Sequence, residues 1–267
     1  MEIQKEEIET RLADVKYPIE VLVLNDTDST NRVGKEMARA GGKEGMLIVA
    51  LSQSGGRGRL GRTFFSPEGG IYMSLLLRPS LPMEQFLRIT TAAAVSVAQA
   101  IEKVTGKETG IKWVNDIFMN GKKVCGILCE AGTGAESGKT EYAVLGIGIN
   151  VRKQAVPEEL KDIVGCLEDF SEKVDSNLLI AEVWKAFFEM YENLSENSYM
   201  EEYRRRSILI GQTVTVPDGE GAYTAQVTDI DEEGRLVVNA GGELRRIGAG
   251  EVSVRLTGSD GSRNTLE

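Results

Sequence analysis

Between Gly55 and Arg62 the chain reads GGRGRLGR, three arginines at every second or third position among four glycines. Glycine permits backbone angles and close approaches that a Cβ forbids, and successive free N–H groups form an anion-binding concavity. Arginine adds planar, permanently charged donor forks that match phosphate and carboxylate. Arg57, Arg59 and Arg62 on such a loop can close over a nucleotide or an acyl phosphate. A solvated basic turn or an RNA-binding Arg/Gly segment would use the same residues. The net charge of −10 argues against a general affinity for phosphate backbones and favours a small anion.

A second cluster, KWVNDIFMNGKKVCGILCE from Lys112 to Glu130, sets Lys112, Asn115, Asp116, Lys123 and Glu130 among apolar residues across a tight NGK hairpin. Paired strands hold catalytic side chains more rigidly than loops do. Asp116 can serve Mg²⁺ as an oxygen ligand, since that ion usually takes one or two carboxylates plus phosphate oxygens; a turn aspartate is the plainer alternative. Lys123 can neutralise a reacting carboxylate and phosphate, or be a surface lysine. Lys122 competes with it, and on a regular strand only one of two neighbours faces a pocket. GIGIN, Gly146 to Asn150, ends a strand with glycines that admit a close neighbour and with an asparagine able to read an adenine edge, unless it is only a bulge and turn.

The 267 residues include no histidine. That removes Ser-His-Asp and Cys-His hydrolysis, HExxH metalloproteases and His-bearing zinc deaminases. Lys, Arg, Asp, Glu and backbone remain, an inventory suited to phosphoryl or adenylyl transfer, which rests on positioning and charge stabilisation. Cys125, Cys129 and Cys166 are too few and wrongly spaced for a zinc knuckle or a disulfide framework and read as reduced thiols. An acidic N-terminus without an apolar h-region, and no run of 18 apolar residues, give the cytoplasm as the expected location.

The elements that must carry these residues read as an α+β fold. One or two helical turns before Pro18 lead to strands at 19–24, 46–53 and 70–77, with a helix over RVGKEMARA closed by Gly41 and Gly42. A helix from about Met83 to Val104 carries Phe86, Ile89, Ala93, Val97, Ile101 and Val104 as a core stripe. Strands at 110–114, 116–119, 123–129 and 141–149 complete a mixed sheet, with a polar loop at 131–139. One or two helices span 176–206, their aromatics packing on the sheet. After Ser207, short alternating strands about ten residues apart indicate a small all-β barrel. The domains are therefore expected at 1–206 and 207–257, with a disordered tail at 258–267.

In order and spacing, DSTN at 28–31, QSGGRGRLGRTFFSP at 53–67, KWVNDIFMNGKKVCGIL at 112–128 and GIGINV at 146–151 resemble bacterial biotin protein ligase, biotin-[acetyl-CoA-carboxylase] ligase. The barrel ending in GEVSVR is similar to that family's SH3-like domain, so the resemblance runs from about Ile19 to Leu256. It implies a biotin/lipoate ligase-type sheet and a two-step reaction. Biotin and MgATP give biotinyl-5′-AMP and pyrophosphate, then a lysine of a biotin carboxyl carrier protein attacks the anhydride. By the same resemblance Ser29, Thr30, Asn31 and Gln53 bond biotin. Arg57, Gly58 and Arg59 fold over biotin and phosphate, and Arg62 meets ATP. Lys123 touches the carboxylate and acyl phosphate, and Gly126 lets its strand approach. Asp116 serves Mg²⁺ and ATP, with Asn115 and Asn150 near the adenine. Two positions depart from the family pattern: Phe64 stands at a ring-stacking position where Trp is familiar, and Val114 where Pro is common.

Three other readings share features of this sequence. Lipoate or octanoate attachment uses the same kind of fold but lacks the GRGRLGR and KWVND signatures. A transcriptional regulator needs a DNA-binding domain, and fewer than 20 residues precede the first strand, so the ligase-only form without DNA binding is expected. A non-catalytic biotin or nucleotide sensor would have no need of Lys123 and Asp116. No membrane partner is expected, and the protein is expected as a monomer or homodimer.

Overall fold

The computed structural model describes residues 2–82, 85–133, 140–219, 221–248 and 255–256. Seven strands form one mixed sheet: β1 (Glu20–Thr27), β2 (Met46–Gln53), β3 (Gly70–Leu77), β4 (Gly110–Lys112), β5 (Asp116–Met119), β6 (Lys122–Thr133) and β7 (Thr140–Asn150). Their order is β1-β2-β3-β7-β6-β5-β4. Only β1 and β2 run parallel, because α2 (Thr30–Arg39) carries the chain between them; the other neighbours are antiparallel. The apolar run of β3 lies between β2 and β7, buried along its whole length. A short helix, α1 (Lys5–Arg11), precedes the sheet.

The two faces of the sheet are covered differently. One packs on α3 (Leu87–Thr105), whose small and β-branched residues from Ile89 to Ile101 are buried; α4 (Ser176–Tyr191) lies against α3 and α1, with Trp184, Phe187 and Phe188 buried in the same core. Gly106, at φ +67°, ends α3, and the Asp175 carboxylate caps α4 by accepting from Leu178 N at 3.0 Å. The other face carries α2 at one end, seated on Leu76, Tyr142 and Val144, and is otherwise open. Gly34 allows that seat: a Cβ there would lie 2.8 Å from Val144 Cγ1.

Register builds the open face. Tyr72, Gly148, Gly126 and Asp116 are successive cross-strand partners, and Ser74, Gly146 and Leu128 form the adjacent rung. A bulge in β6 shifts its register against β5 between the pairs Ile117↔Cys125 and Phe118↔Lys123, so Val124 is skipped. Without it, residues 126, 124 and 122 would share a face; with it, Lys123 joins Gly126. Lys122 points away and donates to Lys161 O at 2.8 Å.

Several boundaries differ from the sequence reading. α2 begins two residues earlier, and α3 begins at Leu87, with Met83 and Glu84 outside the described residues. Residues 131–133, read as loop, are strand, because β6 pairs with β7 to its end; 134–139 lie outside the description. Residues 113–115 leave the strand for a turn in which the Trp113–Val114 peptide is cis. The 176–206 segment is two helices, α4 and α5 (Met200–Arg206), parted by a turn with Asn197 at φ +57°.

A second, antiparallel sheet of five strands follows: β8 (Thr213–Asp218), β9 (Gly221–Ile230), β10 (Leu236–Ala240), β11 (Glu243–Ile247) and β12 (Arg255–Leu256), in the order β11-β10-β9-β8-β12. Most of GEVSVR and the tail from Gly258 lie outside the described residues. The end of β9 and the turn after it reach back to the first unit: Gly234 O accepts from Trp113 Nε1, next to β4, at 2.8 Å, and Ile230 O from Arg204 Nε on the helix that follows α4 at 2.6 Å. Among the described residues, no helix is long and apolar enough to cross a membrane.

Arg206 ties α5 to α3. Its guanidinium meets both oxygens of Glu102, Nη2 to Oε2 at 2.8 Å, and Glu202 at 2.7 Å, with 6% of the side chain exposed. Burial works to raise the Glu102 carboxyl, but Arg206 and Thr109 outweigh it and hold it below its ordinary value. A carboxyl depressed on folding contributes stability that is complete above its unfolded pKa and lost as pH falls through the folded one. Arg206→Met should therefore destabilise the protein by about 3 kcal/mol near neutral pH. In thermal melts the gap to wild type should narrow as acid protonates Glu102, below the ordinary glutamate range; a constant gap through that range would contradict the pairing.

Candidate active site

The open face holds a cleft of about 160 Å³. Of the residues singled out in the sequence, Ser29, Thr30, Asn31, Gln53, Arg57, Gly58, Arg59, Arg62, Phe64, Asn115, Asp116, Lys123 and Gly126 all line it. Asn150 does not. It lies two residues beyond Gly148 on β7, its Nδ2 donates to Gly165 O at 3.1 Å, and it borders a neighbouring hollow with Phe65, Lys122 and Cys166. An adenine-reading role for Asn150 is therefore not built into this cleft.

The Arg/Gly segment is a small hairpin. Gly58 N donates to Arg62 O at 2.8 Å and Phe64 N to Gly56 O at 3.0 Å. Its tip bends through Leu60 at φ +55° and Gly61 at φ +76°, leaving Leu60 58% exposed. The hairpin lays the Phe64 ring on the sheet: a Cβ at Gly126 would come 2.9 Å from Phe64 Cε2, and one at Gly148 2.5 Å from Cε1. Those two glycines thus make room for an aromatic ring, while Gly146 makes room for the Asn31 amide, whose Oδ1 a Cβ there would overlap. Tyr72 meets Phe64 edge-on at 6.5 Å.

The far wall comes from the β4–β6 hairpin. Lys123 Nζ lies 2.7 Å from Asp116 Oδ1 and 5.7 Å from the Phe64 ring centre. Arg59 Nη1 donates to Asn115 Oδ1 at 3.1 Å, and Asn115 Nδ2 donates to Ile127 O at 2.7 Å, so a backbone-anchored amide holds the arginine over the cleft. Burial pulls the Arg59 guanidinium below its ordinary value, against the pull of Asp116. Arg57, Arg59, Arg62, Lys112 and Lys123 line the cleft, and among the described residues Asp116 is the single carboxylate with them. In a chain of net charge −10, this concentration of cations marks an anion site.

The near wall is a hydrogen-bonded chain. Gln53 Oε1 accepts from Thr30 N at 2.8 Å and from Thr30 Oγ1 at 3.1 Å, and Gln53 Nε2 donates to Ser66 Oγ at 3.1 Å. Ser74 Oγ lies 2.7 Å from Thr30 Oγ1 and 2.6 Å from Asn31 Oδ1, and Asn31 Nδ2 donates to Glu130 Oε2 at 2.8 Å. Sequence reasoning missed Ser74 as a member of the site. Its signal was a lone hydroxyl in the otherwise apolar run GIYMSLLL. Tyr72, Trp113, Phe118 and Ile163 also line the cleft and gave no signal apart from hydrophobicity.

Among the described residues Asp116 is the one cleft carboxylate that can ligate Mg²⁺, and no group of three or more Cys, Asp or Glu gathers as a metal cage. Such a donor set suits an ion that arrives on nucleotide phosphates. The three thiols are unpaired, and burial pushes Cys129 up to about 12 and Cys166 to about 11, so neither is poised as a nucleophile.

Two family models match the chain: the biotin/lipoate A/B protein ligase family over residues 23–150, and the biotin protein ligase C-terminal domain over 209–255. The bifunctional ligase/repressor BirA of Bacillus spizizenii is 36% identical over 236 residues, 85% of this chain and 71% of that protein. The chain belongs to the biotin protein ligase family. The biotin–[acetyl-CoA-carboxylase] ligase of Mycobacterium tuberculosis is 30% identical over 86% of this chain and 87% of its own length. The biotin protein ligase from Aquifex aeolicus, solved in complex with biotin and ATP, superposes with a TM-score of 0.77 at 30% identity, covering 89% of this chain and 99% of that one. Membership accounts for the pairing of a mixed sheet with a small antiparallel sheet.

The packing of Gly146 is directly testable. A methyl at residue 146 must displace the Asn31 amide and break its bonds to Ser74 and Glu130. Gly146→Ala should cost about 3 kcal/mol in urea unfolding, overpacking plus unsatisfied polar groups. Combining it with Asn31→Ala should recover part of that loss; strictly additive costs would show that the two positions do not touch.

Proposed function

We propose that this chain activates biotin with MgATP to biotinyl-5′-AMP, releasing pyrophosphate, and then transfers biotin to a lysine of a biotin carboxyl carrier protein. The observation that carries this reading is the five-cation cleft beside a polar wall of Ser29, Thr30 and Gln53. The first step brings together a carboxylate and a triphosphate, which repel each other. Cations held on rigid strands offset that repulsion and stabilise charge as it develops at the α-phosphorus. A biotin carboxylate oxygen forms the new bond to phosphorus while the bond to the bridging oxygen breaks and pyrophosphate leaves. In the second step the carrier's lysine nitrogen attacks the acyl carbon and AMP departs.

On this reading Lys123 and Arg59 meet the acyl phosphate and Arg62 the outgoing phosphates, while Asp116 would hold the Mg²⁺ that accompanies ATP, an ion that would offset charge on the phosphate oxygens. Phe64, on the glycine floor, offers a ring face to the nucleotide or to the hydrocarbon part of biotin. Asn115 holds Arg59 rather than being left open to a base. The polar wall favours biotin over lipoate, whose dithiolane ring has no N–H or carbonyl to satisfy it.

Purified protein should release pyrophosphate from MgATP in a biotin-dependent manner and label an added biotin carrier domain; release driven by lipoate or octanoate instead would move it to the sister activity, and none with any acid would leave a sensor. Lys123→Ala should lower kcat at least about 100-fold, the usual loss when one transition-state donor is removed. Arg59→Gly should open the loop and let the adenylate escape, read as biotin on bystander lysines. Full retention of the adenylate by that variant would refute the closing role of Arg59.

A further inference from the structure

We infer that Leu60, at the tip of the Arg/Gly hairpin, is a docking contact for the carrier protein, meeting an apolar side chain that lies beside the carrier's target lysine. The inference rests on the ligase reading above. Among the described residues, Leu60 and Leu244 are the two large hydrophobic side chains left exposed, and of these Leu60 borders the cleft. Its neighbour Arg59 turns inward to Asn115, while 58% of Leu60 stays in water. The tip has room around it: a Cβ added at Gly61 would meet no atom within 4 Å beyond its adjoining residues.

Leucine is unfavourable here on two counts. Its φ of +55° lies in the left-handed region, where a side chain branched beyond Cβ is strained, and an apolar side chain left in water forgoes the burial that normally stabilises it. Glycine would build the same tip without strain, as Gly61 does at φ +76°, and asparagine with less. Strain that persists at the edge of a site points to a use for the side chain that carries it. With most of Leu60 outside the cleft, that use is a partner that comes from outside.

The second step of the reaction supplies that partner. The carrier's lysine ends a flexible four-carbon stem, so the carrier backbone must come within one side chain's length of the acyl carbon. The hairpin lines the cleft that holds this carbon, and a carrier entering there meets the hairpin tip. The contact must also release once biotin has been transferred, which suits a small interface with an apolar anchor better than a broad apolar face. Arg57 and Arg62 are exposed on the same hairpin, so the complementary surface is an apolar residue with carboxylates around it.

The test uses the full chain and an isolated biotin carboxyl carrier domain. Leu60→Asn keeps the left-handed turn and removes the apolar contact, whereas Leu60→Met keeps the contact. Protein loaded with biotinyl-5′-AMP is mixed either with the carrier domain or with hydroxylamine, whose nitrogen displaces AMP from the same acyl carbon without docking. In Leu60→Asn the carrier concentration that half-saturates transfer should rise about tenfold, the loss of one partly buried leucine. The hydroxylamine rate, pyrophosphate release and the KM values for biotin and ATP should each stay within about twofold of wild type, and Leu60→Met should resemble wild type throughout. The melting temperature of Leu60→Asn should match or exceed that of wild type, because the turn loses strain. Unchanged carrier dependence, a parallel loss with hydroxylamine, or a clear fall in melting temperature would each overturn the proposal. Unchanged carrier dependence with an altered oligomeric state would overturn it in favour of a second copy of this chain. Absence of biotin-dependent pyrophosphate release in the wild type would instead defeat the ligase reading itself, and is seen before any variant is compared.

Discussion

Among the described residues the cleft is lined by five cations and one carboxylate, and most of the local structure answers that constraint. Left mobile, the side chains would move apart into water. Instead Lys123 stands on a strand against Asp116, and Arg59 is held by an asparagine whose own amide is tied to the backbone of β6. Holding the cations near one another before any anion arrives raises the free energy of the empty site. An incoming anion relieves that repulsion, so the same arrangement that weakens the empty protein strengthens binding. Burial first, and the neighbouring Arg62 only after it, hold the Arg59 guanidinium below its ordinary value.

The cation inventory was legible in the sequence, because GGRGRLGR and the KWVND hairpin name their chemistry by residue type. Which lysine faces the cleft was not. Alternation alone assigns Lys122 and Lys123 to opposite faces but cannot say which is which, since the answer lies in a one-residue bulge at Val124. Bulges are set by pairing with a neighbouring strand, and pairing is a property of two segments together. The same reason lies behind the misread start of the 131–139 loop, where Ala131, Gly132 and Thr133 are held as strand by β7. Asn150 was read from its own motif, GIGIN; the structure gives its amide a backbone partner, Gly165 O, that no local pattern announces.

The glycines carry a related lesson. From sequence, GIGIN and Gly126 signal close approach, and close approach to a ligand is the natural reading. The structure separates two kinds of neighbour. Gly126 and Gly148 accommodate the Phe64 ring, and Gly146 accommodates an internal amide. Two of the three therefore shape the cleft through the aromatic that lies on them, and the third through a buried polar chain. A small residue tells that something comes near, not whether it is substrate or protein.

The second sheet enters the site through a hydrogen bond. Trp113, in the hairpin that carries Asn115 and Asp116, is buried and lines the cleft, and its indole N–H needs a partner there. The partner is Gly234 O, 121 residues later in the chain, in a turn that also packs on Leu87 and Thr91 of α3. Tyr203 on α5 adds a bond from its hydroxyl to Val114 O at 2.9 Å. The residues flanking the Lys112–Asp116 turn are thus fixed from outside the first sheet. A segment ending after β7 would contain every cation of the cleft and still lack the groups that satisfy its hairpin, so the small sheet is part of what makes the anion site rigid.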